Sequence, residues 1–285
     1  MGLDNSIIAV VVLYKTKFCE SKSIITLGHS ISKTGLGKID IMIYDNSPEY
    51  NSDVNFSSLD NFHVHYVSDY SNSGVSHAYN LAAKLGKELN KEYLLLLDQD
   101  TEIAKSFYQE LTNLIDNSYN LIFPLLCSNG NILSPCIYKW GRGFILPIFE
   151  KEEGVKSLKN RNFLNSGAVV SLSLFEKIGG FDESIPLYYS DFNFFNRVKK
   201  IQHSYYQMRS ICYHEMASND ETDLAQFICR FQHYCYGAIR CYSSSGGKLV
   251  MIFNILSRSI KVGIKNRSLI FFRIAIKSIY ADFIR

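Results

Sequence analysis

At 285 residues, with 47% hydrophobic and 14% aromatic content, the chain suits one large folded domain or two small ones and excludes an intrinsically disordered protein. Seven cysteines, at 19, 127, 136, 212, 229, 235 and 241, offer neither a CxxC pair nor an even framework, which argues for free thiols in a reducing cytoplasm. The net charge of +3 is unevenly spread: residues 248–285 hold eight Lys/Arg against one acid, Asp282, a net of +7 that leaves −4 on the rest.

Met1 to Val12 is apolar without a basic lead segment, so no signal peptide is expected, and the run from Ile7 is too short to cross a bilayer. Ile7 to Tyr14 is a β-branched run and reads as the first strand. A helix is predicted over residues 18–32, with Gly35 and Gly37 ending the connection. Ile39 to Asp45 reads as the second strand, broken by Asn46-Ser47-Pro48, and leaves the Asp45 carboxylate at its C-terminal end. Phe62 to Val67 alternates as a third strand. Ser71-Asn72-Ser73-Gly74 then turns into a helix with Ala78, Leu81, Ala82 and Leu85 on its apolar face. Tyr93-Leu94-Leu95-Leu96-Leu97 is a short apolar run that stops at Asp98-Gln99-Asp100 and fits a strand buried on both faces of a parallel sheet. This β-α-β-β-α-β order predicts an α/β fold with a mostly parallel sheet flanked by helices.

Asp98 and Asp100 are the first candidates for chemistry. In open α/β sheets ligands bind outside the carboxyl ends of the strands. Two carboxylates there have a reason to stay ionised together when a hard divalent cation, Mn²⁺ or Mg²⁺, bridges them to a phosphate. The competing reading is an Asp-rich strand end in which Asp100 or Thr101 caps the next helix.

Downstream, residues 103–117 read as a helix, Leu121 to Leu126 as a strand and Asn129-Gly130-Asn131 as a hairpin turn. Residues 134–162, with the only tryptophan, Trp140, are predicted to be irregular: a surface excursion or a mobile loop. Asn165 to Ser171 reads as a strand and Leu174 to Ile178 as a helix stopped by Gly179-Gly180. A further helix starts near Ser190 or Asp191, either of which fits an N-cap. Residues 203–208 and 210–214 read as two short strands, 224–242 as a helix and Ser243 to Gly247 as a linker. In the tail, Ile252, Ile255, Leu256, Ile260 and Ile264 recur at helical spacing with Arg258, Lys261 and Lys265 between them. A basic amphipathic helix of this kind suits an anionic membrane surface, and no apolar stretch reaches the ~18 residues of a spanning helix. The alternative is a helical pair packed on the core or on a second subunit. No nucleic-acid module surrounds these cations, so no nucleic-acid partner is expected.

Strand one, the Asp45-Asn46-Ser47 strand end, the Asn72-x-Gly74-x-x-x-Ala78-x-Asn80 segment and Asp98-Gln99-Asp100, in that order, resemble the nucleotide-binding half of inverting family 2 glycosyltransferases. The Leu-Leu-Asp-Gln-Asp form resembles bacterial rhamnosyltransferases of O-antigen and capsule assembly in particular. The resemblance spans residues 7–242. It implies the GT-A fold, a Rossmann-like, mostly parallel central sheet, with a C-terminal helical extension. The implied catalytic domain is 1–215, divided into a nucleotide-sugar-binding half, 1–101, and an acceptor half, 102–215; residues 216–285 form the basic amphipathic region. The implied activity is metal-dependent transfer of a sugar from dTDP-rhamnose or a UDP-sugar to a bacterial surface glycan, free or lipid-linked. The enzyme is then expected in the cytoplasm, peripheral on the inner face of the membrane, with a homodimer through the C-terminal helices as the other use of the tail.

The same resemblance implies roles for individual residues. Asp100 coordinates the metal, Asp98 reaches the metal shell or the ribose, and Tyr213-His214 brings His214 to complete the shell. Asp45 accepts from the imide N–H of uracil or thymine, unless it merely forms an Asx turn. Tyr14, Asn72, Gly74, Asn80 and Gln99 contact the nucleotide sugar, although Lys15 stands where the family often has Asn and Asn80 has a helix-surface alternative. Gly179, Gly180, Phe181 and Asp182 line the acceptor side. Asp191 matches the catalytic base, with Asn193 in place of a second acid that the chemistry does not require. Tyr234 and Arg240 match a helical motif near the end of the rhamnosyltransferases, with Cys241 replacing its Asn. Two rivals share parts of this pattern. A nucleotidyltransferase would want a Gly-rich basic loop that Val12-Leu13-Tyr14-Lys15 does not offer; the other is a catalytically silent nucleotide- or glycan-binding module.

Overall fold

Strands β1 (Ile7–Leu13), β2 (Ile39–Asp45), β3 (Phe62–Ser68) and β4 (Tyr93–Asp98) run parallel, with β4 beside β1, β1 beside β2 and β2 beside β3. Helices α1 (Lys22–Ser32) and α2 (Val75–Glu88) make the crossovers. Every residue of β1 and β2 is buried. Successive side chains of a strand face opposite ways, so Ile7, Ala9, Val11 and Leu13 enter the core under α1, while Ile8, Val10 and Val12 enter the one under α2. Continuous apolar runs are the sequence form of a sheet covered on both sides. The computed structural model describes residues 6–51, 55–146, 152–214, 224–243 and 247–283; the expected linker lies outside these at 244–246.

Beyond β4 the chain continues through β5 (Thr101–Glu102), α3 (Phe107–Ile115), β6 (Leu121–Ser128) and β7 (Asn131–Ser134). Then come β8 (Cys136–Lys139), β9 (Arg142–Phe144), β10 (Gly154–Ser157), β11 (Arg161–Asn162) and β12 (Val169–Ser171). Helices α4 (Leu172–Ile178) and α5 (Ser190–Val198) precede β13 (Ser204–His214), and α6 (Leu224–Ser243), α7 (Lys248–Lys265) and α8 (Ile270–Phe283) close the chain. The main sheet has the order β10-β13-β6-β12-β4-β1-β2-β3, with β5 on β13 and β7 on β6. Strand β12 is antiparallel to both β4 and β6 and joins the two halves.

Three expectations are corrected here. Residues 134–162 are not irregular throughout: β8 pairs with β9 and β11 in a separate small sheet, and β10 joins the edge of the main one. The two short strands before His214 are one, β13, whose register against β6 shifts between Gln207 and Ile211. The tail is two helices that pack with α6, Ile185 and Tyr189 in an apolar cluster of their own. Within it Ile255 is fully buried, so the apolar set read from spacing mixes two faces of α7. Among the described residues no helix is long and apolar enough to cross a membrane.

Candidate active site

At the end of β4 the chain does not begin a helix. It passes through Gln99 and Asp100 into β5, which pairs with the end of β13, Thr101 opposite His214. The helix-cap reading of Asp100 and Thr101 is thereby removed, since α3 starts only at Phe107. The pairing brings His214 to the two carboxylates, and Asp98, Asp100 and His214 place ligand atoms within 4.8 Å of one another. His214 Nδ1 lies 3.3 Å from an Asp100 oxygen and 2.9 Å from Thr101 Oγ1. Two carboxylates and one imidazole, all partly exposed, suit a divalent cation of the oxygen-preferring kind that tolerates nitrogen.

Tyr14 and Gln99 tie the end of β1 to this acidic turn. Tyr14 N donates to Gln99 Oε1 at 2.7 Å, and Gln99 Nε2 donates to the Tyr14 carbonyl oxygen at 3.3 Å. Lys15, where a family Asn was expected, takes a left-handed φ of +53° and donates its N–H to Ser47 Oγ. Asp45 is fully buried. One of its oxygens accepts from Ser47 N at 2.9 Å in an Asx turn; the other accepts from Asn51 Nδ2 at 2.6 Å and Tyr66 Oη at 2.9 Å. Protein donors thus already hold both oxygens of the Asp45 carboxylate.

Asn72 is exposed with φ +52°, and Gly74, φ +87°, opens α2. A Cβ on Gly74 would stand 2.4 Å from the Pro186 carbonyl oxygen, so only glycine fits between the two halves. Asn80 spends its amide on the same junction. Its Nδ2 donates to the Phe181 carbonyl oxygen at 3.0 Å and to Glu183 at 2.8 Å, while its Oδ1 accepts from Phe181 N at 2.8 Å.

The Gly179-Gly180-Phe181-Asp182 turn is likewise built into the scaffold. Gly179 ends α4 in the left-handed region, and Arg197 donates to the carbonyl oxygens of Ile178 at 3.0 Å and Gly180 at 2.6 Å. Asp182 is exposed and accepts from Ser184 N at 3.0 Å. Phe181 is buried, stacked on Phe194 at 4.1 Å and tilted against Tyr79 at 5.1 Å. Its expected place on the acceptor surface is corrected: apolar packing draws the ring inward.

Asp191 lies in the first turn of α5 and is not its cap, a position held by Tyr189 in the left-handed region at φ +70°. Such a φ is unusual for a bulky residue and is held in place by tertiary packing. Here Tyr189 donates to Tyr234 of α6 at 2.9 Å. The Asp191 carboxylate accepts from Phe192 N at 2.6 Å. It keeps some exposure, but protein closes around it, and burial, with the Asp98 charge adding, pushes it up to about 7. Asn193, in the second-acid position, is buried and accepts from Arg197 Nε at 3.0 Å.

No family model matches the chain. It is 27% identical to the low-salt glycan biosynthesis hexosyltransferase Agl10 of Haloferax volcanii over 179 residues, 60% of this chain and 57% of that protein. It is 22% identical to the dTDP-rhamnosyl transferase RfbF of Shigella flexneri over 200 residues, 66% of this chain and 62% of that one. The match spans about three fifths of the length of both curated relatives. Among solved structures, the mannosyltransferase PcManGT of Pyrobaculum calidifontis, in complex with GDP-Man and Mn²⁺, superposes with a TM-score of 0.51 at 13% identity over 84% of this chain and 64% of its own. The chain has the GT-A glycosyltransferase fold.

Within this GT-A fold several residues that hold the acidic turn carried no signal in the sequence. Ser23, on α1, donates Oγ to the carbonyl oxygens of Asp98 and Thr101 and accepts from Thr101 N at 3.2 Å. Ser166 Oγ accepts from Asp98 N at 3.0 Å and meets Thr101 Oγ1 at 2.6 Å. Tyr79 Oη donates to Asp98 at 3.2 Å. Asp69 accepts from Tyr44 Oη, Ser71 N and Ser73 N and so shapes the loop before Gly74; burial opposes its charge, but these donors together hold its carboxyl well below the usual range. Serine and tyrosine are common throughout the chain, and only the tertiary fold turns Ser23, Ser166 and Tyr79 toward Asp98 and its turn.

Proposed function

We propose that this protein is an inverting glycosyltransferase that moves a sugar from a nucleoside-diphosphate donor, dTDP-rhamnose or a UDP-sugar, to a glycan of the bacterial surface. The observation that carries the reading is the cluster of Asp98, Asp100 and His214 together with Asp191, a partly exposed carboxyl that the surrounding protein pushes up to about 7. A general base works best with a pKa near the working pH.

In the proposed reaction the acceptor hydroxyl attacks the anomeric carbon from the face opposite the leaving diphosphate. Asp191 takes the hydroxyl proton, a C–O bond to the acceptor forms, and the C–O bond to the donor phosphate breaks with its electron pair on the nucleoside diphosphate. Asp98, Asp100 and His214 would hold Mn²⁺ or Mg²⁺, which when bound offsets charge on the diphosphate. The Mn²⁺ of PcManGT supports this assignment. Tyr14, Asp45, Asn72, Gly74, Asn80 and Gln99 form and support the nucleotide-sugar side, and Gly179, Gly180 and Asp182 the acceptor side. The thymidine donor of RfbF favours dTDP-rhamnose. Residues 1–215 act as the catalytic domain and 216–285 as a helical region that holds the enzyme peripherally at the cytoplasmic face of the membrane.

Incubating the purified protein with dTDP-, UDP- and GDP-sugars, with and without Mn²⁺, tests the reading. Slow cation-dependent release of free sugar and nucleoside diphosphate is expected from a donor of the dTDP or UDP type. Release of pyrophosphate from a nucleoside triphosphate and a sugar 1-phosphate, with no hydrolysis of any sugar nucleotide, would instead identify a nucleotidyltransferase.

A further inference from the structure

The β8–β9 hairpin and the start of α7 share an exposed apolar patch. Trp140 and Phe144, edge to face at 6.3 Å, line a depression of about 510 Å³ with Leu249 and Phe253. Leu249 is 83% exposed, Trp140 73% and Phe253 67%. The two elements are locked together. Arg142 donates to Asn254 Oδ1 at 2.6 Å and to Ser257 Oγ at 2.5 Å, and Asn254 Nδ2 donates to the Trp140 carbonyl oxygen at 2.9 Å.

The patch continues along α7. Leu249, Phe253, Ile260 and Ile264 are exposed and fall on one stripe of the helix, with Leu256 between them packed partly against the α6–α8 cluster. Met251 and Ile255 face the other way, into the α6–α8 cluster. Packing on the core thus accounts for one apolar face of α7 and leaves the second open. From Leu249 to Ile264 the stripe is about 22 Å long at the helical rise. Exposed Lys261, Lys265 and Arg267 flank its far end, and neither α7 nor the turn into α8 contains an acid.

We propose that this stripe, together with the Trp140 hairpin, is the face that the protein lays on an anionic bilayer, with α7 in the plane of the interface. A helix that is apolar on its outer face and edged with cations binds such a surface through both terms, and an aromatic such as Trp140 favours the headgroup level. A second copy paired in parallel is the poorer occupant, because it sets the cations at the far end of one stripe against those of the other. The hairpin also reaches the proposed base. Tyr138 packs its ring on Phe192, the residue after Asp191, at 5.2 Å. This contact sets the docked hairpin beside the base, so that an acceptor carried on a lipid-linked glycan would come from the membrane side. This last step rests on the glycosyltransferase reading; the docking does not.

Trp140 is the only tryptophan, so its emission reports on the patch. With the full chain and phosphatidylglycerol-containing vesicles, a blue shift and quenching by brominated lipids are expected, both absent with pure phosphatidylcholine. Leu249→Glu with Ile264→Glu, at exposed positions that leave the fold intact by circular dichroism, should weaken co-sedimentation at least about tenfold and leave donor hydrolysis unchanged. Lys261→Glu with Lys265→Glu should remove the preference for anionic lipid. Vesicle binding with Trp140 emission unmoved, equal partitioning of wild type and the Leu249/Ile264 variant, or a dimer that the same variant dissociates without any vesicle binding would each overturn the proposal. A wild type that docks as described but hydrolyses no donor would sink the enzyme reading and leave the docking face standing.

Discussion

Asp98 and Asp100 stand where a buried parallel strand runs out, and Asp191 stands on a short helix entered through a left-handed tyrosine. The first pair is placed by regular structure: β4 lies between β1 and β12, and β5 pairs with β13. The second is placed by side chains from distant elements, Tyr234 beneath Tyr189 and Arg197 across the Gly179-Gly180 turn. The difference has an electrostatic counterpart. The strand-end carboxylates share their space with an imidazole and remain partly exposed, whereas protein closes around Asp191 and burial pushes it up to about 7. The proposed reaction, which binds a diphosphate through a cation and also takes up a proton, calls for both kinds of carboxylate, and the two halves of the fold supply one each.

The largest expected effect comes from removing basicity at Asp191 alone. Asp191→Asn keeps the shape and the contact with Phe192 N, so donor affinity by calorimetry should hold while turnover falls ~10²–10⁴-fold. Normal turnover would reduce Asp191 to a helix-turn residue and dissolve the contrast. Next, Asp100→Ala should lower Mn²⁺-stimulated hydrolysis by more than about tenfold, at least ~1.4 kcal/mol of barrier, with unchanged circular dichroism. Retention of the Mn²⁺ response would take Asp100 out of the cation site.

Gly74→Ala tests the seam between the halves rather than either carboxylate. With φ at +87° and the Pro186 carbonyl oxygen 2.4 Å from the added Cβ, it should cost ~1–3 kcal/mol of stability and lower Tm by a few degrees. The smallest effect is expected at Asn193→Asp. Arg197 holds that side chain in a buried position, so restoring an acid there should change kcat less than about tenfold. A larger gain would mean that the second acid can act.

The sequence made the parallel half legible because each strand there is a continuous apolar run ending at a carboxylate or a breaker, and the resemblance of Asp45-Asn46-Ser47 and Asp98-Gln99-Asp100 followed the same strand ends. Residues 134–162 were not legible in this way. The strands β8, β9 and β11 are four residues or fewer, too short for periodicity to register, and they are held by pairing with one another and by Arg142 on α7. Phe181 was placed on the acceptor side by the resemblance of its Gly-Gly-Phe-Asp turn alone, and only the stack on Phe194 shows that the ring is core. The α7 residues Ile255 and Ile260 have similar side chains and helical spacing. Only the fold shows that one is buried and the other on the open face.

The most direct test of the account is the pH dependence of kcat/KM for cation-dependent donor hydrolysis between mildly acidic and mildly alkaline pH. Burial raises the folded pKa of Asp191 to about 7, so below that value the carboxyl is protonated and cannot accept a proton, and above it the base is free. The rate should therefore rise with pH and level off, with a midpoint near 7 that a bound dication beside Asp98 draws lower without changing the sign. Asp191→Asn should lose this rise along with most of the rate. A wild-type profile that is flat across the whole range, or a rise that persists in Asp191→Asn, would contradict the assignment of Asp191 as the base.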